Sequence, residues 1–404
     1  MPMRKIDLTS FQVATSETAR QINRRIALSL IRRHEPLSRA DLARKSGLQR
    51  STVSAIIDEL IVEGWVNEGE LGLLPRGRRP RFLHVNTERV GTIGVELRPD
   101  ITTVGLAGLD AEFKAQEQWN TPATPEAFAA RLHETVVALR AQFPATRVEG
   151  VGVSLPGRVD SHGRLMFAPN LGWPAMDLRA MLESVIGLPV FLENAANACA
   201  LAELWFGKHP EHVRNLVAVT VSEGIGVGLL INGQLVHGSN AMAGELGHVT
   251  LDEKGPPCKC GKRGCWERYA SNSAAVMDYS RGTDGEAAIA SLAGVDQLGR
   301  FRSLVELARN GDPRALAAID RMAHFLGSGL SFIITALAPE VITVVGEVTA
   351  IWDRVGPIVN DVVARRALLQ AGTRIVPTDP QDRPRLRGAV ALVVQQYFAA
   401  PDVA

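Results

Sequence analysis

The period of the apolar positions changes near residue 86. Ahead of it, Ile22, Ile26 and Leu30 recur at helical spacing and predict a helix to about His34, which Pro36 stops. Ser38 stands three residues before Asp41, a capping-box pattern that predicts a second short helix over Arg39 to Lys45. Gly47 supplies the turn. A third helix follows with Val53, Ile56, Ile57, Leu60 and Ile61 on one face. Gln49, Arg50, Ser51, Thr52 and Ser54 crowd its polar N-terminal end, where a Ser or Thr in place of Gln49 would cap better. Gly64-Trp65-Val66 then opens a hairpin-like stretch that closes at Leu83-His84-Val85 and has Arg76-Gly77-Arg78-Arg79-Pro80 at its tip.

Helix, capped helix, glycine turn and polar-started helix is the order of a helix-turn-helix. The exposed residues at the start of the last helix are those that reach base edges in such units. Arg76, Arg78 and Arg79 on a loop stiffened by Gly and Pro suit a narrow minor groove, where the negative potential is enhanced. Charge agrees. Residues 1–85 carry 15 Lys and Arg against 9 Asp and Glu, which leaves 29 against 34 of the chain's 44 and 43 for the rest. A basic front on a mildly acidic body points to a polyanionic partner, operator DNA. The plainer alternative is a small three-helix bundle with a solvated basic loop.

After Asn86 the chain reads as strands and helices in alternation. Gly91–Leu97 and Thr102–Ala107 are predicted as paired strands and 125–142 as a helix. Another strand ends at Ser154–Gly157, and Leu216–Val221 and Val341–Val345 are strands. The fold class is α/β. With 404 residues the chain holds two to three domains. It shows no fixed-period repeat. No apolar run approaches the roughly 18 residues of a membrane span, and Met1 to Ser10 has no signal-peptide core. The expected location is the cytoplasm.

Of four cysteines, Cys258, Cys260 and Cys265 fall within eight residues, and Cys199 stands apart on an Ala/Leu-rich stretch as a core thiol. In a cytosolic chain such a cluster is metal-binding rather than disulfide-forming. With His248 in Gly244-Glu-Leu-Gly-His248, the three thiolates make a closed tetrahedral zinc set of one imidazole and three sulfurs. The expectation is one structural zinc per chain.

Together, Gly244–His248 and Cys258-Lys-Cys-Gly-Lys-Arg-Gly-Cys265-Trp-Glu267 resemble the ROK (repressor, open reading frame, kinase) family of sugar kinases and repressors. The resemblance runs from about residue 20 to 398. It implies a winged helix-turn-helix followed by an actin-like (ribonuclease H-like) two-lobed body with sugar in the cleft. The expected layout is an N-terminal segment 1–20, the DNA-binding domain 21–85, a first lobe 86–200 completed by a C-terminal helix 384–404, and a second lobe 201–383 with the zinc loop. By the same resemblance Asn170, Asn194, Glu245, His248 and Glu267 bind sugar hydroxyls. Carboxylates and amides suit that task, and zinc on one ring nitrogen of His248 would leave the other for sugar.

The resemblance also argues against catalysis. Kinases of the family place a catalytic Asp after the Asn of the Glu-Asn motif; here it is Ala195, so no carboxylate is left to act as base. The first phosphate loop reads Gly94-Val-Glu-Leu-Arg-Pro99, the second Ser222-Glu223-Gly224, and the adenosine-side Gly-Gly reads Gly346-Glu347. Leu97 to Pro99 cannot supply the glycines of a phosphate cradle, Glu223 would put a negative charge where phosphate should lie, and Glu347 stands in place of a glycine. The expectation is a sugar-responsive repressor of carbohydrate genes that acts as a homodimer or dimer of dimers, with a monosaccharide or sugar phosphate as effector. Family members of this layout respond to N-acetylglucosamine, glucose, xylose or other sugars. The alternatives are a DNA-linked sugar kinase using another base and an architectural DNA-binding protein without a ligand.

Overall fold

The structure, a computed structural model, describes residues 16–71, 81–210, 212–281, 297–367 and 372–399. The front is α1 (Ser16–His34), α2 (Arg39–Ser46) and α3 (Arg50–Val62), with a small sheet in which β3 (Arg81–Val85) lies between β1 (Leu37–Ser38) and β2 (Val66–Leu71). The capping box forms as predicted. Ser38 Oγ accepts from the Asp41 amide at 3.2 Å, and Asp41 Oδ2 accepts from the Ser38 amide at 3.2 Å. Gly47 ends α2 at φ 73°, in the left-handed region that favours glycine. Gln49 makes no side-chain cap.

Val53, Ile56, Ile57 and Leu60 of α3 are buried, and Ile61 half-buried. On α1 the helix is where the spacing puts it; of the three residues that predict it, Leu30 packs half-buried against the core, Ile22 is half-buried and Ile26 is exposed. Ala27, Leu28 and Ile31 are buried, while Ile26 is 36% exposed. The reason is tertiary: α1 packs on α2, α3, β3 and the C-terminal helix at once, so its central contact falls on an adjacent stripe. Strands β2 and β3 pair antiparallel as a wing. The predicted tip, Arg76, Arg78 and Arg79, lies outside the described residues.

The body begins with β4 (Val90–Leu97), β5 (Ile101–Gly108), β6 (Phe113–Asn120), α4 (Pro125–Gln142), β7 (Arg147–Leu155), β8 (Arg158–Val159), β9 (Leu165–Phe167), α5 (Leu178–Ile186), β10 (Val190–Asn194) and α6 (Ala195–Phe206). It continues with β11 (Leu216–Val221), β12 (Ile225–Ile231), β13 (Gln234–Leu235), α7 (Glu267–Ala270), α8 (Asn272–Tyr279), α9 (Gln297–Arg309), α10 (Pro313–Leu337), β14 (Val341–Gly346), α11 (Trp352–Arg366), β15 (Arg374–Pro377) and α12 (Pro384–Phe398). Two five-stranded sheets result, ordered β10-β7-β4-β5-β6 and β13-β12-β11-β14-β15. Each is a three-stranded antiparallel meander extended by two parallel strands, so the same topology occurs twice.

Helix α12 lies on the first sheet, α6 on the second, and the two helices pack on each other between them. The approach of α12 and of β12 to α6 depends on missing side chains. A Cβ on Gly388 would sit 2.2 Å from the Ala198 carbonyl oxygen, and one on Gly228 2.3 Å from that of Ala196. Residue 200, where the sequence reading divides the lobes, falls inside α6. Among the described residues no helix is long and apolar enough to cross a membrane.

Candidate functional site

The cleft between the sheets is built from strand ends and the turns that follow them. Asn194 ends β10 and caps α6: its Oδ1 accepts from the Ala196 amide at 2.8 Å, and its Nδ2 donates to the Gly157 carbonyl at 2.7 Å. One amide hydrogen is left for a ligand. Its neighbour Glu193, 8% exposed, fixes this arrangement. Glu193 Oε1 accepts from the Asn194 amide at 2.8 Å and from Asn197 Nδ2 at 3.0 Å, and Oε2 meets His237 Nε2 at 2.7 Å. That hydrogen bond raises the His237 pKa above its ordinary value, against burial. Sequence reasoning passed over Glu193, although it directly precedes Asn194 in the quoted motif.

Glu245 and His248 stand on a single turn, Glu245–His248, pressed onto β12. Gly244 has φ 87°, and a Cβ there would lie 2.1 Å from the Val227 carbonyl oxygen. Glu267 starts α7, and its Oε2 would be 2.5 Å from a Cβ on Gly224, so its carboxylate packs against the second loop. Asn170 is exposed and accepts from Lys259 Nζ at 3.4 Å. All five residues assigned to sugar, Asn170, Asn194, Glu245, His248 and Glu267, line one cavity of about 210 Å³. Ala195, Arg98, Arg158, Glu193, Glu223 and Arg385 line it too.

The thiol loop adjoins this cavity. The ligand atoms of His248, Cys258, Cys260 and Cys265 all lie within 4.8 Å of one another. Cys260 and Cys265 sulfurs are 3.6 Å apart, and Cys258 Sγ is 3.6 Å from His248 Nδ1. A tetrahedral centre with Zn–S bonds of ~2.3 Å has edges of about 3.8 Å, so the set fits that ion in donor chemistry and spacing. Gly261 at φ 90° and Gly264 at φ 63° make the reversals of the loop, and a Cβ on Gly264 would lie 1.6 Å from the Asp252 oxygen. Trp266 anchors the loop: its indole is buried and donates to the Phe325 carbonyl at 2.8 Å. With Nδ1 of His248 on the sulfur side, Nε2 lies 3.8 Å from Glu245 Oε2. Cys199 is fully buried on α6, and burial pushes its thiol up to about 12.

At the front, Gln49, Arg50 and Ser51 are exposed at the start of α3, with Thr52 and Ser54 half-buried beside them. Arg39 is committed inside the unit, 2.8 Å from Asp58 and 2.8 Å from Glu68, and ties α2 to α3 and β2. The front joins the body through Arg32 of α1. Its guanidinium lies over Trp205, Phe206 and Phe398 at 4.9, 5.2 and 5.7 Å and donates to the Trp205 carbonyl at 2.6 Å. Burial pulls its pKa down to about 10, so it stays charged. Trp205 and Phe206 end the helix that Asn194 begins.

The comparisons agree with this architecture. The sequence matches the model of the MarR family over residues 26–68. It is 29% identical to the xylose repressor of Bacillus spizizenii over 393 residues, 96% of this chain and 98% of that protein. A glucokinase of Halalkalibacterium halodurans is 30% identical over 262 residues, 62% of this chain and 79% of the enzyme. The crystal structure of a ROK family transcriptional regulator, a homologue of the E. coli MLC protein, superposes with a TM-score of 0.78 at 25% identity, over 94% of this chain and 98% of the other. The ROK family model matches residues 92–396, so this chain belongs to the ROK family and carries a helix-turn-helix ahead of the family's actin-like body.

Proposed function

We propose that this protein is a DNA-binding repressor of carbohydrate genes that a sugar releases from its operator. One observation carries the reading: the polar residues of the cleft converge on a single cavity, while the position of the catalytic base is Ala195. A cleft able to hold a sugar but not to deprotonate it is a sensor. The likeness to a xylose repressor over 96% of the chain supports this, since the glucokinase likeness covers 62% of it.

Asn170, Asn194, Glu245, His248 and Glu267 take the sugar hydroxyls, and Glu193 holds Asn194 in place. His248, Cys258, Cys260 and Cys265 hold a structural zinc. The ion, when bound, fixes the tautomer of His248, so that Nε2 is presented to the cleft. Gln49, Arg50, Ser51, Thr52 and Ser54 face the major groove. Arg76, Arg78 and Arg79 are assigned to the minor groove on the sequence alone. Two copies acting as a dimer match the symmetry of a palindromic operator.

The test is operator titration with and without saturating sugar, for the wild type and for Glu267→Ala. Sugar should weaken operator binding by about 5- to 150-fold in the wild type, the usual range of such coupling, and leave the variant unaffected. A sugar that binds tightly yet leaves operator affinity unchanged overturns the reading, because a ligand with equal affinity for both states shifts nothing. Sugar-dependent ATP turnover by the wild type would favour the kinase alternative.

A further inference from the structure

The three loops that lost the phosphate-cradling pattern meet at one point. Arg98 leaves β4 in the first lobe. Glu223 sits in the turn between β11 and β12, and Glu347 follows β14, both in the second. Arg98 reaches Glu223 Oε1 at 3.3 Å, Glu347 Oε1 at 3.3 Å and Asp100 Oδ1 at 3.8 Å. Asn272 Nδ2 holds the other oxygen of Glu347 at 2.8 Å. The Arg98 side chain is 13% exposed and that of Glu347 14%. Burial opposes the charge on Arg98, but the carboxylates of Glu347, Glu223, Glu96 and Asp100 outweigh it and raise its pKa. Glu223 is held below its usual value in turn, burial again being overcome by Arg98.

Arg98 and Glu223 line the same cavity as the sugar residues, with Ala195. The second guanidinium on this side, Arg385, lies 3.7 Å from Glu96. Glu96, Asp100 and Glu347 stand behind these two guanidiniums and pair with them, while Glu223 is the carboxylate of the group that lines the cavity itself. Glu193, Glu245 and Glu267 line the remainder of the cavity. A phosphate dianion entering here would meet excess negative charge in a partly desolvated space, where repulsion is strong. Arg158 is a further lining cation; its guanidinium rests on the Met242 sulfur.

Building on the sugar-binding reading above, we infer that the Arg98–Glu223–Glu347 cluster makes the cleft selective for an uncharged sugar and closes it to sugar phosphates and nucleotides. The cluster fills the phosphate side with a cation already neutralised by the protein's own acids. Discrimination comes from unfavourable charge against the wrong ligand, which costs nothing when a neutral sugar binds.

Calorimetric titration of the full chain at about 0.1 M ionic strength tests this. The probes are D-xylose, D-glucose and N-acetyl-D-glucosamine, each against its 5- or 6-phosphate, together with a non-hydrolysable ATP analogue. The expected result is a neutral sugar bound at least about tenfold more tightly than its phosphate, with no nucleotide binding. In Glu223→Gln/Glu347→Gln, which keeps shape and frees Arg98, that ratio should fall towards one. A wild type that prefers the phosphate, or binds both forms alike, overturns the inference and leaves the sugar-binding reading standing. If that binding is lost in Arg158→Ala, Arg158 is the phosphate site. A ratio unchanged in the folded double variant also overturns it. Failure of every sugar in both forms overturns the sugar-binding reading itself, and this inference with it.

Discussion

Ala195 is the residue on which the functional reading turns. It occupies the first position of α6, directly after the capping Asn194, so the methyl group faces the cavity where a carboxylate would be needed for proton transfer. Around it the polar scaffold is complete. Glu193 is the least visible part of that scaffold, and its partner His237 carries a pH signature. His237 has a folded pKa raised above 6.5 by its hydrogen bond to Glu193. Its stabilisation is therefore fully present below about pH 6.5 and lost as pH rises through the higher folded value. The melting temperature of the wild type should exceed that of His237→Gln at about pH 6, and the gap should narrow towards about pH 9. A gap constant across that range would mean the pair does not titrate between folded and unfolded states. The metal set makes a second residue-scale expectation. Cys260→Ser should lower both zinc content and sugar affinity, because the loop carries Glu267 on its flank and His248 within its ligand set. Elemental analysis showing unchanged zinc would remove the assignment.

Among the elements, α6 joins the two functions. Its N-terminal cap is Asn194, which lines the cavity proposed for sugar, and its C-terminal Trp205 and Phe206 hold Arg32 of the DNA-binding front. Twelve residues at 1.5 Å per residue span about 18 Å, so a rigid-body shift at one end arrives at the other. Close packing against α12 at Gly388 and against β12 at Gly228 leaves little slack for the helix to absorb such a shift. Arg32→Met keeps the apolar stem in the aromatic box and removes the bond to the Trp205 carbonyl. Operator affinity without sugar and sugar affinity without operator should each change little, while the effect of sugar on operator binding shrinks towards none. Fluorescence anisotropy of labelled operator, with and without sugar, reads this out. Full retention of coupling would assign transmission to another contact, such as Ser29 donating to the Phe398 carbonyl.

At the scale of the molecule, two sheets of like topology face each other across the cleft, with α6 and α12 packed between them. The residues proposed to bind sugar come from both sides: Asn194 ends β10 of the first sheet and Asn170 follows the small β8–β9 hairpin, whereas Glu245, His248 and Glu267 follow β13 of the second. A bound sugar should therefore favour one lobe arrangement. In a dimer this alters the separation of two recognition helices, whereas half-sites on DNA stay about one helical turn apart or a multiple of it. Linkage adds a separate expectation. Operator DNA must weaken sugar binding by the same factor by which sugar weakens operator binding. Isothermal titration of sugar into the protein–operator complex measures that factor, and a mismatch would exclude a two-state account. Sugar tightening operator binding would reverse both signs and make the ligand a co-repressor.

Local rules were enough for α2, the turn that ends it and the thiol loop. A capping box, a glycine turn and a short thiol spacing each act within a few residues, so Ser38, Gly47 and the Cys258–Cys265 loop could be read from order alone. The inward stripe of α1 could not, because Ile22, Ile26 and Leu30 satisfy helical spacing as well as Ala27, Leu28 and Ile31, and only the surrounding elements choose between them. The duplicate topology of the sheets also left no period in the sequence, since strand pairing constrains burial pattern rather than residue identity. Arg98, Glu223 and Glu347 mark the limit. The sequence showed three altered phosphate loops, with Glu223 in one of them as a negative charge where phosphate should lie. Only the tertiary structure, by bringing residues 98, 223 and 347 within ion-pair distance across the cleft, turned three alterations into one charge cluster.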